Sequence, residues 1–449
     1  MKVNSIVNTT KQDKIKIQIV SRTILLANSF GNAAYILDFL RYLQQTGIDT
    51  EFILLDESPN GRNLWYLIPE SLRTVTKVVA IDHFTVGSYL VSSSISNWII
   101  ESLRFMYNLL LPNRIKNIYR RNRDKKELPP RYILPLKLWD RLLAPKEIEF
   151  VNSQVVRYQP DVVIANYAHL SDIFDALKEK TNILKVILTH DVRHQRTAQF
   201  QKLGLDSFEV EWNREKERHA LKKAQVLLAI QQEDCKIFQN MVPESKVICM
   251  PLAATCKSHQ FPQVPGRCLF VGSNANHNYY GLKWFLENVW DKIIQLNPNS
   301  SLHICGNICD LIKETYPNVH ILGVVKDLKP EYSAAEVCLV PLLAGSGLKI
   351  KLVEAMSYGR ACVSTSVGIQ GLPEISGHTT LVADTAEDFA NSVHTLFTDS
   401  QKRKLMEQQA YRYIEENLSP QSVYQPFVDY IYQHVQHQQT NTLDTMVAV

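Results

Sequence analysis

The most regular feature of the chain is a repeated unit: a short β-branched apolar run, a turn carrying Gly or Asn, then apolar residues at every third or fourth position. Runs of four to eight such residues predict strands, and steps of three and four predict amphipathic helices. The first series opens at 22–30 (RTILLANSF), turns at Gly31 and Asn32, and enters a helix whose Ala33, Ile36, Leu37, Leu40 and Leu43 share a face. It resumes with strands at 161–166 (DVVIAN), 185–190 (KVILTH) and 225–230 (QVLLAI). A second series starts at 267 (RCLFVG), and its helix carries Leu282, Phe285, Leu286, Val289, Trp290, Ile293 and Ile294 at helical spacing. Strands follow at 301–306, 318–323, 337–342, 361–366 and 379–384. This alternation predicts α/β architecture with parallel sheets, as two doubly wound domains facing each other across a cleft.

Between the two series Pro262, Pro265 and Gly266 interrupt regular structure, which places a linker at 256–266. The expected organisation is an N-terminal domain over 1–255 and a C-terminal domain over 267–415. A helix at 416–435 returns to the first domain, and a polar, frayed tail occupies 436–449. Residues 83–146 break the alternation and read as a helical insertion, with an apolar stripe at Ile95, Ile99, Leu103, Met106 and Leu110. Residues 101–146 hold twelve Lys and Arg against four Asp and Glu, an excess of +8 that exceeds the +4 of the whole chain. Such a segment suits an anionic membrane surface, where each basic side chain contributes on the order of 1 kcal/mol. It equally suits an inserted arm packed on its own domain with its charges solvated, and both readings stay open.

The 449 residues allow two or three domains, and 45% hydrophobic with 21% charged residues excludes wholesale disorder. An excess of 49 basic over 45 acidic residues gives no ground for nucleic-acid binding. No apolar run of spanning length and no secretory signal is evident, so a cytoplasmic protein is expected. All eight cysteines lie in the second half, several inside apolar runs, and read as reduced, mostly buried small hydrophobes.

Open α/β sheets bind ligands beyond the carboxyl ends of their strands. The most informative segment follows the strand at 337–342: a small-residue turn at Gly345, Ser346 and Gly347, then a helix from Lys349 to Tyr358. Glycines there let the backbone approach a phosphate, and a helix N-terminus supplies free N–H groups. Lys349 and Lys351 place positive charge where the helix dipole favours acids, an inversion that a bound polyanion explains. Glu354, one turn on, can accept hydrogen bonds from two vicinal ribose hydroxyls. Its plain alternative is an exposed salt pair with Lys351, and the Gly-Ser-Gly turn favours the ribose reading.

With FVGSNANHNYYGLKWFLENVW and SLHICG before it, the stretch from Val337 to Asp384 resembles the nucleotide-sugar-binding domain of family 4 glycosyltransferases, the group 1 set with the GT-B fold. The resemblance covers about the last 180 residues and, more loosely, the strand order of the first half. It implies two Rossmann-like domains and a retaining transferase that takes a nucleoside diphosphate sugar, without a metal or further cofactor, and passes the sugar to a hydroxyl-bearing acceptor. It implies donor contacts at Gly272 of the Phe-Val-Gly strand and at Gly31 and Asn32. Acceptor contacts fall at Asn166 with His169, and at His190 with Asp191 and Arg193, His190 also being a candidate proton partner near neutral pH. The sequence departs from the family at two places. Many members carry two glutamates separated by seven residues; here the second is Glu354 and the first position is Ser346. An Arg and Lys usual after Phe-Val-Gly are replaced by Asn274, Asn276, His277 and Asn278, which leaves Lys349 and Lys351 to carry most of the diphosphate charge.

Other classes fit less well. The GSGLKI turn matches two glycines of a dinucleotide fingerprint but has Ile350 at the third, and no acidic residue follows at the required distance. No P-loop is present. The rival from another class is a GT-B-like protein without turnover that serves as a binding or scaffolding partner in a biosynthetic complex.

Overall fold

The computed structural model describes residues 14–22, 31–55, 64–95, 98, 99, 102, 103, 106, 142–177, 182–202, 212–258, 262–344 and 349–447. The first half contributes ten strands, β1 (Lys16–Ser21), β2 (Asp49–Leu54), β3 (Trp65–Leu67), β4 (Lys77–Ala80), β5 (His83–Val86), β6 (Tyr89–Ser92), β7 (Val162–Asn166), β8 (Leu184–Leu188), β9 (Val226–Ala229) and β10 (Lys246–Cys249). Seven of them form one sheet in the order β10-β9-β8-β7-β1-β2-β4. The second half contributes β11 (Arg267–Val271), β12 (Ser301–Cys305), β13 (Val319–Gly323), β14 (Val337–Val340), β15 (Cys362–Ser364) and β16 (Thr380–Val382), in the order β13-β12-β11-β14-β15-β16. Each sheet therefore grows to one side of its first strand and then to the other. The reversal falls between β1 and β7 in the first and between β11 and β14 in the second.

The first strand is not where apolar continuity places it. It is Lys16–Ser21, and it ends just before Arg22; residues 23–30 lie outside the described set. Its period of two hides a central strand, because the polar positions are buried as well. Gln18 donates through Nε2 to Glu51 Oε2 on β2 at 2.8 Å, and Glu51 in turn receives Arg157 at 2.5 Å. Arg22 is buried against Glu147 at 3.2 Å. β2, β4 and β10 likewise escape the apolar-run criterion, whereas β7, β9 and the strands from β11 on fall within the expected segments and β8 begins one residue before its own.

The helix Gly31–Gln45 buries Ala33, Ile36, Leu37, Leu40 and Leu43, as its spacing predicts. After β11 the chain forms two helices, Asn276–Asn288 and Trp290–Leu296, which bury Leu282, Phe285, Leu286, Trp290 and Ile293 in a core with Phe270 and Phe389. Gly281 lies so close to the Pro341 carbonyl that a Cβ there would collide with it, and this sets the first of these helices against the loop after β14.

The segment expected to be a helical insertion from 83 begins instead as strands. β5 and β6 pair antiparallel and β3 joins β6, giving a separate three-stranded sheet. The stripe residues Ile95, Ile99, Leu103 and Met106 lie in helical turns; Leu110 and most of the basic stretch lie outside the described residues. At the C-terminus two helices, Ser400–Asn417 and Pro420–Val447, continue through the stretch expected to fray from 436. The chain divides into two compact units, Met1–Ile187 with Val428–Val449, and Leu188–Phe427. Among the described residues no helix is long and apolar enough to cross a membrane. All eight cysteines are free, five of them buried.

Arg403 ties the Ser400–Asn417 helix to the second sheet. Both it and Glu336 are buried and they pair at 2.9 Å, while the other Glu336 oxygen accepts the Gly266 N–H at 2.7 Å. Arg403→Ala leaves that carboxylate buried without its cation and is expected to cost about 3–5 kcal/mol. Arg403→Met combined with Glu336→Leu should cost much less. Urea unfolding of the three proteins checks the ordering.

Candidate functional site

Where neighbouring crossovers part to opposite faces of a parallel sheet, a crevice opens at the carboxyl ends of the strands. In the second sheet the chain leaving β11 supplies one side of that point and the chain leaving β14 the other. Gly272 follows β11 and donates its N–H to the Cys305 carbonyl at 3.0 Å. A Cβ on Gly272 would stand 2.8 Å from the Phe270 ring, so any larger residue there displaces that ring. Asn278, in the first turn of Asn276–Asn288, is buried, and its Nδ2 donates to the Ser273 carbonyl at 3.0 Å and hydroxyl at 3.1 Å. That network fixes the amide orientation and leaves Oδ1 as an acceptor.

Lys351 fills that acceptor. Its Nζ donates to Asn278 Oδ1 at 2.5 Å and stands 4.4 Å over the Phe270 ring. Burial, and secondarily the charge of Lys349, push its pKa down to about 7. Lys349 is buried too, and its ammonium donates to Gln370 Oε1, in the loop after β15, at 3.5 Å. The intervening Gly345, Ser346 and Gly347 lie outside the described residues. The helix itself runs Ile350–Ser357; Lys349 at its N-cap supplies no capping side chain and no acid occupies its first turn. The helix at Ala386, by contrast, is capped by Thr385 and opens with Glu387 and Asp388.

Glu354 does not pair with Lys351. Its Oε2 accepts the Tyr332 hydroxyl at 3.1 Å, Tyr332 stacks on Tyr358 at 4.5 Å, and Lys257 caps the Tyr358 ring at 4.5 Å. Burial raises the Glu354 pKa, opposed by Lys257 and the tyrosine hydrogen bond. Tyr332 and Lys257 escape a reading confined to motifs, and the motif that contains Phe270 and Asn278 does not reveal their contacts with Lys351. Asn278 alone leaves a signal, since it occupies an apolar position of its helix, four before Leu282.

In the first sheet the reversal brings Asn166 at the end of β7 to Ser21 at the end of β1, with Asn166 Nδ2 donating to Ser21 Oγ at 2.9 Å. His169 is buried and stacks on Tyr167 at 5.4 Å. Gly31 and Asn32 open the helix after β1. His190 follows β8 in a left-handed conformation, φ 63°. Burial drives its pKa down to about 4, only partly offset by Asp191, so its imidazole is neutral at pH 7. Arg193 is buried over the Trp212 ring at 4.3 Å, and its backbone N–H is received by the buried Glu217 at 3.0 Å. Among the described residues no group of His, Cys, Asp or Glu is placed to hold a metal ion.

The family model for glycosyl transferases group 1 matches residues 265–399. These residues form a group 1 glycosyltransferase domain. The match contains the whole β11–β14 reversal together with Lys349, Lys351 and Glu354. An uncharacterised 44.6 kDa protein in the cps region of Klebsiella pneumoniae is 26% identical over 214 residues, which is 44% of this chain and 54% of that relative. The chain thus matches about half the length of that curated relative. Among solved structures, sucrose-phosphate synthase of Thermosynechococcus elongatus superposes with a TM-score of 0.66 at 14% identity, over 94% of this chain and 99% of the other. TarM of S. aureus gives 0.63 at 10% identity, over 93% and 98%. HepE of Anabaena in complex with UDP and glucose gives 0.60 at 12%, over 93% and 99%. Two parallel-sheet α/β domains of this kind are the GT-B fold.

An anion bound at Lys351 would bind with a pH dependence set by the pKa of that lysine. With its pKa about 7, Lys351 is mostly charged at pH 6 and mostly neutral at pH 8. A diphosphate bound against Lys351 would stabilise the ammonium and raise that pKa, so that binding above neutrality would take up a proton. The ratio of UDP affinity between wild type and Lys351→Met should be flat below about pH 6.5 and fall toward tenfold per unit between the free and bound pKa values. Calorimetry in buffers of different ionisation enthalpy reads the proton directly, and no proton uptake at pH 8 contradicts the assignment.

Proposed function

We propose that this chain is a retaining glycosyltransferase that moves a sugar from a nucleoside diphosphate sugar to a hydroxyl acceptor in the cytoplasm. The observation that carries the reading is the desolvated Lys351 ammonium at the strand-order reversal of a group 1 domain, with Lys349 beside it. On this reading residues 267–415 bind the donor, residues 1–255 bind the acceptor, and 256–266 link them. Gly272, Gly345, Ser346 and Gly347 allow close approach of the diphosphate, and Gly31 and Asn32 add N–H groups from the first domain. Glu354 receives the ribose through the oxygen that Tyr332 leaves open.

The acceptor oxygen attacks the anomeric carbon from the face the diphosphate leaves. The bond from that carbon to the phosphate oxygen breaks, and the leaving diphosphate takes the acceptor's proton. The protein's contribution is electrostatic: Lys349, Lys351 and the uncapped Ile350–Ser357 helix start meet charge as it develops on the leaving group. A neutral His190, with Asn166, His169, Asp191 and Arg193, orients the acceptor. The family resemblance supports a cell-surface polysaccharide, a glycolipid or a secondary metabolite as acceptor, and UDP in HepE makes UDP-sugars the first donors to try.

A thermal-shift screen of UDP-, GDP- and ADP-sugars identifies the donor, because a preferential binder stabilises the fold. With that donor, Lys349→Met and Lys351→Met should each weaken nucleotide binding about tenfold or more, the scale of a lost hydrogen bond to a charged group. Glu354→Gln should raise donor KM, and His190→Ala should lower kcat with donor affinity kept. If no sugar nucleotide stabilises the protein and no donor is hydrolysed without acceptor, the chain is a binding or scaffolding protein instead.

A further inference from the structure

Of the eight free thiols five are buried, and three are half-buried: Cys235, Cys249 and Cys256. A buried thiol behaves as a small hydrophobe, so sulfur chemistry belongs to the other three. Cys256 donates its thiol to a backbone acceptor, the Tyr411 carbonyl, at 3.5 Å. The remaining two are brought together by the winding of the chain. β10 pairs with β9 in parallel register, and Cys249, its last residue, stands opposite Ala229, the last of β9. The helix Gln232–Met241 starts three residues after Ala229 and packs against β10. Cys235 lies in its first turn, where the Cys235 N–H is received by the Gln231 carbonyl at 3.1 Å. Both cysteines therefore sit at the carboxyl end of one strand-helix-strand unit. On β10, Val247 and Cys249 share one half-buried face, while Ile248 on the other face is buried.

Within that unit the two thiols meet, Cys235 donating to the Cys249 sulfur. This hydrogen bond makes them unequal. It lowers the pKa of Cys249, against the opposing effects of burial and of Asp234 and Glu233. The same bond holds the proton on Cys235, whose pKa it raises together with burial. A thiolate is the nucleophile of sulfur chemistry, and a thiol beside it resolves the product into a disulfide. Access is the second requirement. β10 is an edge strand, bonded to β9 on one side, so Cys249 is approached without crossing another strand.

We propose that Cys249 and Cys235 form a redox modification site, at which a peroxide closes a reversible disulfide between β10 and the helix Gln232–Met241. The Cys249 thiolate attacks one peroxide oxygen and the O–O bond breaks. The departing hydroxide takes the proton that Cys249 released and leaves as water, with a sulfenic acid on Cys249. The Cys235 sulfur then attacks the Cys249 sulfur, the S–O bond breaks, and the Cys235 proton leaves with the hydroxyl as a second water. Two thiols are oxidised to one disulfide as one peroxide is reduced to two waters, and an added thiol reopens the bond by exchange. The site stands independently of the transferase reading.

The test treats the full chain with a small excess of hydrogen peroxide and maps its thiols after unfolding. Two of the eight should disappear together, with the peptides of Cys235 and Cys249 joined. The mass of the monomer should fall by about 2 Da, and dithiothreitol should restore both thiols. Loss at this pair should be about tenfold or more faster than at Cys256. Cys235→Ser should stop the reaction at a Cys249 sulfenic acid that dimedone captures, and Cys249→Ser should slow oxidation of Cys235 about tenfold. The wild-type peptide map decides the question even where a variant folds poorly. Eight thiols surviving peroxide overturn the proposal, as does a bond between copies on a non-reducing gel or one that joins either cysteine to a third. Oxidation of Cys235 at the wild-type rate in Cys249→Ser overturns the assignment of Cys249 as the nucleophile.

Discussion

A parallel sheet grows by crossovers of one hand, so it can extend in both directions only if the chain returns to its first strand. At that return two adjacent crossovers leave for opposite faces, and no helix covers the carboxyl ends between them. Both large sheets obey this constraint, at β1 with β7 and at β11 with β14. The positions of Ser21 with Asn166, and of Gly272 and Asn278 with Lys351, are consequences of strand order before they are consequences of side-chain chemistry. The side chains decide only what the opening can hold.

In the second sheet they place a buried ammonium on neutral partners. A buried ammonium must find hydrogen-bond partners, and a carboxylate would be the stronger one. Asn278 instead accepts from Lys351 without adding negative charge, and Phe270 offers its ring face. The lysine is thus hydrogen-bonded without a counter-charge from Asn278 or Phe270. Glu354, three residues on, is held apart by Tyr332 rather than joining Lys351 in a salt pair. Two opposite charges on one short helix therefore serve two environments.

Much of this is legible in the sequence. The second series of strands can be read from apolar runs because buried parallel strands are apolar on both faces. The basic helix start at Lys349 and Lys351 is legible because it contradicts the helix dipole. The first strand is not, because Gln18 and Glu51 bury polar side chains by pairing with each other, which composition does not reveal. The sheet at 65–92 escapes for the reverse reason: its exposed face is apolar, so its alternation does not separate inside from outside. Tyr332 takes its place from its contact with Glu354 across the fold, which no local pattern encodes, and the polar residue at the apolar position 278 does not say that its partner is Lys351. The titration of His190 is equally hidden, because the burial of a strand end depends on what packs over it.

The two sheets share one winding plan but close it over very different lengths of chain. Ile17 must wait for Val162 to complete the centre of the first, whereas Cys268 finds Val337 after roughly half that span. Long-range pairing is slow because the ends of a long loop must be brought together before any contact compensates the lost entropy. The segment made first on the ribosome therefore holds an unfinished sheet edge at β1 while 83–146 is synthesised, and the later sheet needs the shorter closure. Order of synthesis and ease of closure run in opposite directions in this chain, and the nascent β1–β2 edge is the part most in need of shelter from wrong partners during that interval.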